Sequence, residues 1–294
     1  MRILFSIGQF SDFSQFQFNE FSKNSKHIIK LAAYNKTSQN IPNVDWILDS
    51  ISYNSKNRIR LIDDVKEFKP DLIISDAEPI VSDIAKLLNI ELWYCSTLNV
   101  INGIRWRTSS IFEFKYNSIL NSVFNKSFNP ALGNLILSPF GDLLNKLSLK
   151  DNFYWIKPYH NKIINKPIDI SLNIQGERFE KLYFLLLEID KNIKIINKDN
   201  YLDQLSKTKL MITDGNTNTV SDCFYNKIPM IVVPNLSNKE ALINAILVSK
   251  CGLGEDLGQI ELMGRYGLER IEKAFEYIPV KKYIRNTQNE MLLH

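Results

Sequence analysis

The sequence has few of the residues that build disulfide or metal sites. Its 294 residues include three cysteines and three histidines. Cys95, Cys223 and Cys251 are dispersed, odd in number and without metal-ligand spacing. Reduced thiols in a cytoplasmic protein are the simplest explanation. No Asp-x-Asp motif or histidine-rich cluster is present, so we expect no metal site.

Long apolar runs and a strong net charge are also missing. No uninterrupted apolar run approaches the roughly 20 residues of a membrane span. The first residues, 2–5, lead straight into polar sequence and do not resemble a signal peptide. We therefore expect a cytoplasmic protein, with peripheral membrane attachment as an alternative. The short, mildly basic chain, rich in Asn, Lys and Ile, would also suit a phage-encoded protein in the host cytoplasm. The net charge of +4 is too small to identify a nucleic-acid binder.

Strand and helix signals alternate along the whole chain, which is typical of parallel α/β architecture. The length suits two domains of roughly 150 residues each. Residues 153–168, with two prolines, are the expected linker between them. The predicted strands are 2–7, 27–34, 45–49, 58–61, 71–75, 90–95 and 135–138, then 168–172, 193–196, 210–213 and 230–233.

The most informative stretch is 209–258. The apolar run 210–212 has no helical period and predicts a strand buried on both faces. Turn formers follow at 213–216, and then apolar residues recur at helical spacing. Asn218 or Thr219 is the expected cap of that helix. A second buried strand, a polar loop and a second helix complete the segment.

This order predicts a ligand site. The turn lies at the carboxyl edge of a parallel sheet, where open α/β sheets bind ligands. A helix that begins in Gly215–Thr219 offers N–H groups and the positive end of its dipole to a phosphate. Asp222, one turn along, is placed to accept hydrogen bonds from ribose hydroxyls. The same residues would also suit simple capping and dipole compensation, so both interpretations stay open.

Five short motifs carry a resemblance to known enzymes. They are Thr213-Asp214-Gly215, Thr219-Val220-Ser221-Asp222, Ile228-Pro229, Val233-Pro234 and Asn244-Ala245. Their order resembles the donor-binding half of GT-B glycosyltransferases, especially the N-acetylglucosaminyltransferase and UDP-glycosyltransferase group. Residues 68–79, FKPDLIISDAEP, are similar to a segment of the first half of the same family.

The resemblance implies a fold and a domain plan. The expected fold is α/β, with two Rossmann-like domains facing across a cleft. Residues 1–155 would bind the acceptor, and 156–278 the nucleotide sugar. A helix within 279–294 would cross back onto the first domain.

The resemblance also implies donor-site roles. The turn residues would hold the diphosphate, Asp222 would bind the ribose, and Asn238 and Glu240 would contact the donor sugar. The diphosphate set is Gly215, Asn216, Thr217 and Thr219.

Catalytic candidates lie in the first half. The family often carries a histidine after its first strand, whereas this chain reads Gly8-Gln9-Phe10-Ser11-Asp12 there. Asp12 is the first candidate base and would need a raised pKa, although an aspartate in a turn or at a helix cap also fits the pattern. Asp76 and Glu78 come next, with capping of the following helix as the alternative for Asp76.

Further residues are expected to contact the acceptor. Gly8 and Gln9 follow the first strand, and Arg105 and Arg107 bracket a tryptophan. An anionic acceptor would match the two arginines, but ordinary scatter on a solvated surface would also explain them.

The resulting hypothesis is a metal-independent glycosyltransferase. It would use a UDP-sugar as donor substrate, with no tightly bound cofactor, and a glycolipid or envelope precursor as acceptor. One alternative is a phage-type DNA glycosyltransferase acting on a hydroxymethylated base, whose DNA affinity would collapse with salt. A non-catalytic GT-B-like partner protein and a sugar-nucleotide epimerase are two more alternatives.

Overall fold

A computed structural model describes most of both halves of the chain. The described residues are 1–7, 22, 26–34, 44–48, 55–76, 79–97, 99–103, 133–141, 149–158, 160–164, 169–174, 178–188, 193–197, 199–258 and 265–277. They divide into two compact units. The first contains the described residues up to 103 together with 133–137 and 149–158, and the second contains 138–141 and the described residues from 160 onward.

The first unit is built on a parallel sheet. Its strands in the described residues are β1 (Arg2–Ile7), β2 (Ile28–Tyr34), β3 (Trp46–Leu48), β4 (Leu72–Asp76), β5 (Glu91–Ser96), β6 (Gly133–Leu137) and β7 (Phe153–Ile156). They lie in the order β3-β2-β1-β4-β5-β6-β7, and each neighbouring pair is parallel. Chain order reverses beside β1, which is the type of position where open α/β sheets bind ligands.

Both faces of this sheet are covered by apolar residues. Leu4 of β1 packs in one cluster with Ile73 and Val81, whereas Phe5 packs in another with Leu31 and Ala33. A strand buried on both faces must be apolar at consecutive positions, which is why the sequence runs of this sheet do not alternate. The helices described in this unit are α1 (Ser55–Phe68), α2 (Pro79–Leu87) and α3 (Asn99–Gly103).

The second unit repeats the plan with a smaller sheet. Its described strands are β8 (Asp169–Asn173), β9 (Lys194–Ile195), β10 (Thr208–Thr213), β11 (Met230–Val232) and β12 (Gly254–Asp256), in the order β12-β11-β10-β8-β9 and all parallel. The described helices are α4 (Arg178–Leu187), α5 (Tyr201–Lys207), α6 (Thr217–Tyr225), α7 (Lys239–Lys250) and α8 (Arg265–Tyr277). Strand β10 lies at the centre, so the turn that follows it emerges mid-sheet.

The core of the second unit is drawn from the sheet and its helices. Leu172 and Ile212 of the strands pack with Leu182 and Leu186 of α4 and Ile271 of α8, all of them buried. Helix α7 is buried along eight consecutive residues, 241–248. A helix that is apolar on nearly every side has to be enclosed by other elements, so α7 is an internal element of the fold.

Two sequence predictions of which residues form strands are wrong. Residues 58–61 form part of helix α1, because Leu61, Val65 and Phe68 recur at helical spacing and are all buried. Residues 153–156, predicted as linker, form the edge strand β7, consistent with the preference of aromatic and β-branched residues for strands.

Strand β12 was not predicted at all. A Cβ added at Gly254 would lie 1.8 Å from the carbonyl oxygen of Met230, so only glycine lets the two strands pair at that point. The predicted helix within 279–294 lies outside the described residues. The two-sheet α/β architecture itself is confirmed.

Candidate functional site

The turn after β10 is held in a fixed shape by hydrogen bonds between residues two positions apart. Gly215 has a φ of +88°, a conformation that side chains other than glycine rarely adopt. Its N–H donates to Oγ1 of Thr213 at 3.2 Å, and the N–H and Nδ2 of Asn216 both donate to Oδ1 of Asp214, at 3.3 and 3.0 Å. A Cβ at Gly215 would lie 2.9 Å from Cγ1 of Val232, so the turn leaves no room for a larger residue.

Helix α6 begins directly after this turn, and its cap is Asn216. The side-chain oxygen of Asn216 accepts from the N–H of Thr219 at 2.9 Å. The predicted caps, Asn218 and Thr219, are therefore wrong, because the helix starts two residues earlier than the apolar period indicates. The first N–H groups of a helix have no partner inside it and carry the positive end of the dipole. The start of α6 is thus suited to an anion.

A partly buried polar cluster connects the start of α6 to helix α7. Oγ1 of Thr217 donates to Oε1 of Glu240. Nδ2 of Asn244 donates to the carbonyl oxygen of Gly215 and to Oγ1 of Thr217, at 2.9 Å each. Asn238 caps α7, since its side-chain oxygen accepts from the N–H of Ala241 at 3.2 Å. Four predicted donor-site residues, Gly215, Thr217, Asn238 and Glu240, are therefore brought to the facing ends of α6 and α7.

Asp222 is buried and surrounded by donors from the protein. Its side chain is 2% exposed. Oδ2 accepts from Nδ2 of Asn161 at 3.0 Å and from the hydroxyl of Tyr201 at 2.7 Å, and Oδ1 accepts from the main-chain N–H of Asn161. Burial raises the pKa of the Asp222 carboxyl, while the bonds from Asn161 and Tyr201 and the charge of His160 act in the opposite direction.

The neighbours of Asp222 respond to its charge. Burial raises the pKa of the Tyr201 hydroxyl, and the adjacent carboxylate raises it further, so Tyr201 remains a hydrogen-bond donor.

The segment 160–164 runs along the second half of α6. The N–H of Ile163 donates to Oδ1 of Asn226 at 3.2 Å, and Nδ2 of Asn226 donates to the carbonyl oxygen of Asn161. The ring of His160 stacks on Tyr225, with 3.8 Å between centroids.

Only one of the predicted catalytic residues is described. Asp76 is the last residue of β4, at the carboxyl end of the sheet of the first unit, and is 6% exposed. Burial, and next the charge of Asp76, raise the pKa of the neighbouring Cys95 thiol. The other predicted residues of the first half lie outside the described residues; these are Gly8, Gln9, Asp12, Glu78, Arg105 and Arg107.

Several residues of the site escaped the sequence analysis. Asn161 and Tyr201 meet Asp222 from distant parts of the chain, and no local motif marks them. Nη1 of Arg178, in the first turn of α4, donates to the carbonyl oxygen of Val233 at 3.0 Å, just after β11. This places a cation at the same edge of the sheet as the α6 start. The nearest signal in the sequence is Gly176, two positions before Arg178.

The described residues contain no candidate metal site and no candidate membrane-spanning helix. None of the described side chains form a group of three or more histidine, cysteine, aspartate or glutamate residues suited to a metal ion. Within the same part of the chain, none of the helices combines the length and apolarity needed to cross a lipid bilayer.

Comparisons with known proteins bear on the fold. No protein-family model and no curated protein matches the chain. Solved structures do match over nearly the whole length. The calicheamicin glycosyltransferase CalG4 aligns with a TM-score of 0.61 at 14% identity, covering 99% of this chain and 94% of that one. The spinosyn rhamnosyltransferase SpnG, complexed with thymidine diphosphate, aligns with a TM-score of 0.66 at 10% identity, covering 98% and 95%.

A third similar structure has a different activity. The UDP-GlcNAc 2-epimerase from Neisseria meningitidis, bound to UDP-GlcNAc, aligns with a TM-score of 0.58 at 13% identity and covers 96% of this chain and 94% of that one. Identities this low establish the fold and nothing finer. The chain has the GT-B fold, and its resemblance to GT-B nucleotide-sugar glycosyltransferases is thereby confirmed at the level of the fold.

Proposed function

We propose that this protein is a glycosyltransferase that moves a sugar from a nucleoside-diphosphate sugar to a hydroxyl group. The observation that carries the proposal is the start of α6, which follows a tight glycine turn at the carboxyl edge of a parallel sheet and is capped by Asn216. The GT-B fold supports the same assignment, since similar structures are glycosyltransferases. Residues 156–278 would bind the donor and 1–155 the acceptor.

The leaving diphosphate needs its developing charge stabilised. The turn residues and the first turn of α6 would supply N–H groups and hydroxyls for this, through Gly215, Asn216, Thr217 and Thr219. Arg178, anchored on Val233 at the same sheet edge, adds a positive charge. We propose that these groups replace a metal ion, so that the reaction is metal-independent.

Asp222 is proposed to bind the ribose, and its environment sets a condition on that role. The carboxylate already accepts three hydrogen bonds from Asn161 and Tyr201. A carboxylate has about four lone-pair sites, so ribose hydroxyls would either use the remaining one or displace the Asn161 side chain. Asn238 and Glu240, at the start of α7, would contact the donor sugar.

We propose that the base of the donor nucleotide is either uracil or thymine. UDP is our first expectation from the motif resemblance. Thymidine diphosphate is the second, because SpnG and the glycosyltransferase SsfS6 both have structures complexed with it. No described residue of this chain decides between the two bases.

The acceptor hydroxyl needs a base to take its proton. Asp12 is proposed for this role, followed by Asp76 and Glu78, with Gly8, Gln9, Arg105 and Arg107 as acceptor contacts. A glycolipid or envelope precursor is the proposed acceptor, and hydroxymethylated DNA is the alternative. Loss of acceptor binding at high salt would favour DNA, because counterion release dominates protein–DNA affinity.

Epimerisation is a second candidate function, since one similar structure is a UDP-GlcNAc 2-epimerase. An epimerase would convert a UDP-sugar without any acceptor, whereas a transferase requires one. A coupled assay with UDP-GlcNAc, with and without acceptor, separates the two by the product formed.

The first test is a thermal-shift screen against UDP, TDP, GDP and ADP sugars, with and without EDTA. A ligand at about 100 times its Kd stabilises the native state by roughly 2.7 kcal/mol, which gives a clear shift. We expect a response to one nucleotide that EDTA does not change. No response to any of them would overturn the proposal and favour the non-catalytic alternative.

Two substitutions divide the proposed roles. Asp222→Ala should weaken nucleotide binding, whereas Asp12→Ala should leave binding unchanged and lower turnover. Isothermal titration with the selected nucleotide and initial rates with its sugar donor would measure both effects. Unchanged nucleotide affinity in Asp222→Ala would remove Asp222 from the donor site.

A further inference from the structure

Asn244 is a polar residue in a place where the helix is otherwise apolar. It lies in the middle of α7, within the buried run 241–248, and is 0% exposed. A buried amide is unfavourable unless its groups are hydrogen-bonded. Its Oδ1 has no hydrogen-bond partner among the described residues. The side chain therefore depends on its Nδ2 group for favourable contacts.

Both protons of Nδ2 are used on the turn before α6. One goes to the carbonyl oxygen of Gly215 and the other to Oγ1 of Thr217, each at 2.9 Å. The opposite orientation of the amide would place Oδ1 against the Gly215 carbonyl oxygen, and two acceptors cannot bond. The contacts thus define the orientation of the Asn244 amide.

These bonds fix the peptide plane that leads into α6. The carbonyl oxygen of Gly215 is held by Asn244, and the N–H of Asn216 on the same peptide is held by Oδ1 of Asp214. Because a peptide unit is planar, two anchors on opposite sides determine its orientation. The hydroxyl of Thr217 is fixed as well, since it accepts from Asn244 and donates to Glu240.

We propose that Asn244 is a positioning residue for the diphosphate of the donor: it does not contact the ligand but holds the 215–217 turn in the shape that presents the α6 start to the phosphates. The inference rests on the proposed function and deepens it. An unheld turn would still bind the nucleoside part of the ligand, so the loss should be confined to the phosphates.

The test compares ligands that differ only in their phosphates. Kd would be measured by titration calorimetry for UDP and, by displacement, for uridine, or for TDP and thymidine if the screen selects thymine. Asn244→Leu removes both donors at similar volume. We expect Kd for the diphosphate to rise about tenfold, the effect of losing roughly one hydrogen bond, and Kd for the nucleoside to stay within about twofold.

The matched control is Leu247→Ala, which opens a cavity in the same helix without removing a bond to the turn. It should lower stability and leave both Kd values unchanged. Equal diphosphate affinity in Asn244→Leu and the wild type would overturn the positioning role while the proposed function stands. A wild type that binds neither UDP nor TDP would overturn both.

A second variant covers the case in which Asn244→Leu does not fold. Asn244→Ser is smaller and keeps one hydroxyl donor. We expect it to give an intermediate, diphosphate-specific loss of affinity. Failure of both variants to fold, or an equal loss for nucleoside and diphosphate, would make Asn244 a purely structural residue and contradict the proposal.

Discussion

Nδ2 of Asn161 lies 3.0 Å from Oδ2 of Asp222, and the main-chain N–H of the same asparagine donates to the other carboxylate oxygen, across 61 positions of sequence. The carboxylate that the motif assigns to a ribose is therefore already held by the segment 160–164 and by Tyr201. If Asp222 binds the ribose as proposed, the ribose hydroxyls would have to use the one remaining lone pair or displace the Asn161 side chain.

Asn161→Ala should tighten nucleotide binding. The substitution removes the side-chain amide that occupies Oδ2 and leaves the main-chain bond, so a ribose hydroxyl gains an open acceptor. We expect Kd for UDP or TDP to fall several-fold, measured by calorimetry. Lys273→Ala, at an exposed position of α8 in the same unit, serves as control and should leave Kd unchanged. A rise in Kd for Asn161→Ala would show that Asn161 itself contacts the ligand.

The pH dependence of stability should report the buried charge of Asp222. Burial raises the pKa of its carboxyl in the folded protein above the ordinary value of 3.8, so the unfolded chain releases this proton at lower pH than the folded chain. The raised pKa of Asp222 stabilises the folded protein fully below pH 3.8. This stabilisation is lost as the pH rises through the pKa of Asp222 in the folded protein. The free energy of unfolding of the wild type should therefore fall relative to that of Asp222→Asn as pH rises from about 3.8.

Urea denaturation of both proteins at intervals between pH 3.5 and 7 would measure this difference, on the order of 1.4 kcal/mol for each unit of pKa shift. Titration of other groups cancels in the comparison because the two proteins share them. A difference that rises with pH in favour of the wild type would show that the hydrogen bonds of Asn161 and Tyr201 outweigh burial.

Two glycine substitutions should separate packing from backbone strain. Gly215 and Gly252 both have positive φ, +88° and +67°. A Cβ at Gly252 would meet nothing within 4 Å, whereas one at Gly215 would lie 2.9 Å from Val232 and 3.0 Å from the main chain of Ala241. We expect Gly252→Ala to cost about 1 kcal/mol and Gly215→Ala about 2 to 4 kcal/mol of unfolding free energy.

Chemical denaturation measures both glycine variants. Only Gly215→Ala should also weaken nucleoside-diphosphate binding, because only Gly215 belongs to the turn before α6. Equal destabilisation by the two substitutions would mean that Val232 and α7 move aside without cost.

The three thiols should be slow to alkylate in the native protein. Burial raises the pKa of Cys95 and Cys223, and raises that of Cys251 to about 12. Iodoacetamide reacts with the thiolate, so native labelling at pH 8 should be orders of magnitude slower than in urea. Cys251, which is half-buried, should react before the other two. Mass spectrometry after timed quenching gives each rate, and fast native labelling of Cys223 would place it at the surface.

Much of the sheet could be predicted because buried parallel strands leave a local signal. The runs 2–7, 210–213 and 230–233 are mostly apolar and are followed by turn residues, and each forms a strand close to those bounds. The strand prediction for 58–61 was wrong because four residues do not distinguish a strand from one turn of an amphipathic helix. Only the longer window, from Leu61 to Phe68, shows the helical period.

The glycine turn and the helix that follows it were likewise predictable. Gly215 is marked by turn formers on both sides, and the cap was misplaced by two or three residues because the apolar period becomes visible only after the helix has begun. The anion site at this turn stays a prediction, and it rests on the local order of strand, turn and helix alone.

By itself, the sequence determined the parallel α/β architecture and the glycine turn that precedes helix α6, since burial period and turn chemistry act over a few neighbouring residues. Tertiary structure alone decided which partners the side chains of that site receive. Asn161 and Tyr201 reach Asp222, and Asn244 reaches Gly215 and Thr217, from 61, 21 and 27 to 29 positions away. Hydrogen bonds over such separations depend on how strands and helices stack, because the donors and acceptors have no contact until the sheet and its helices are packed.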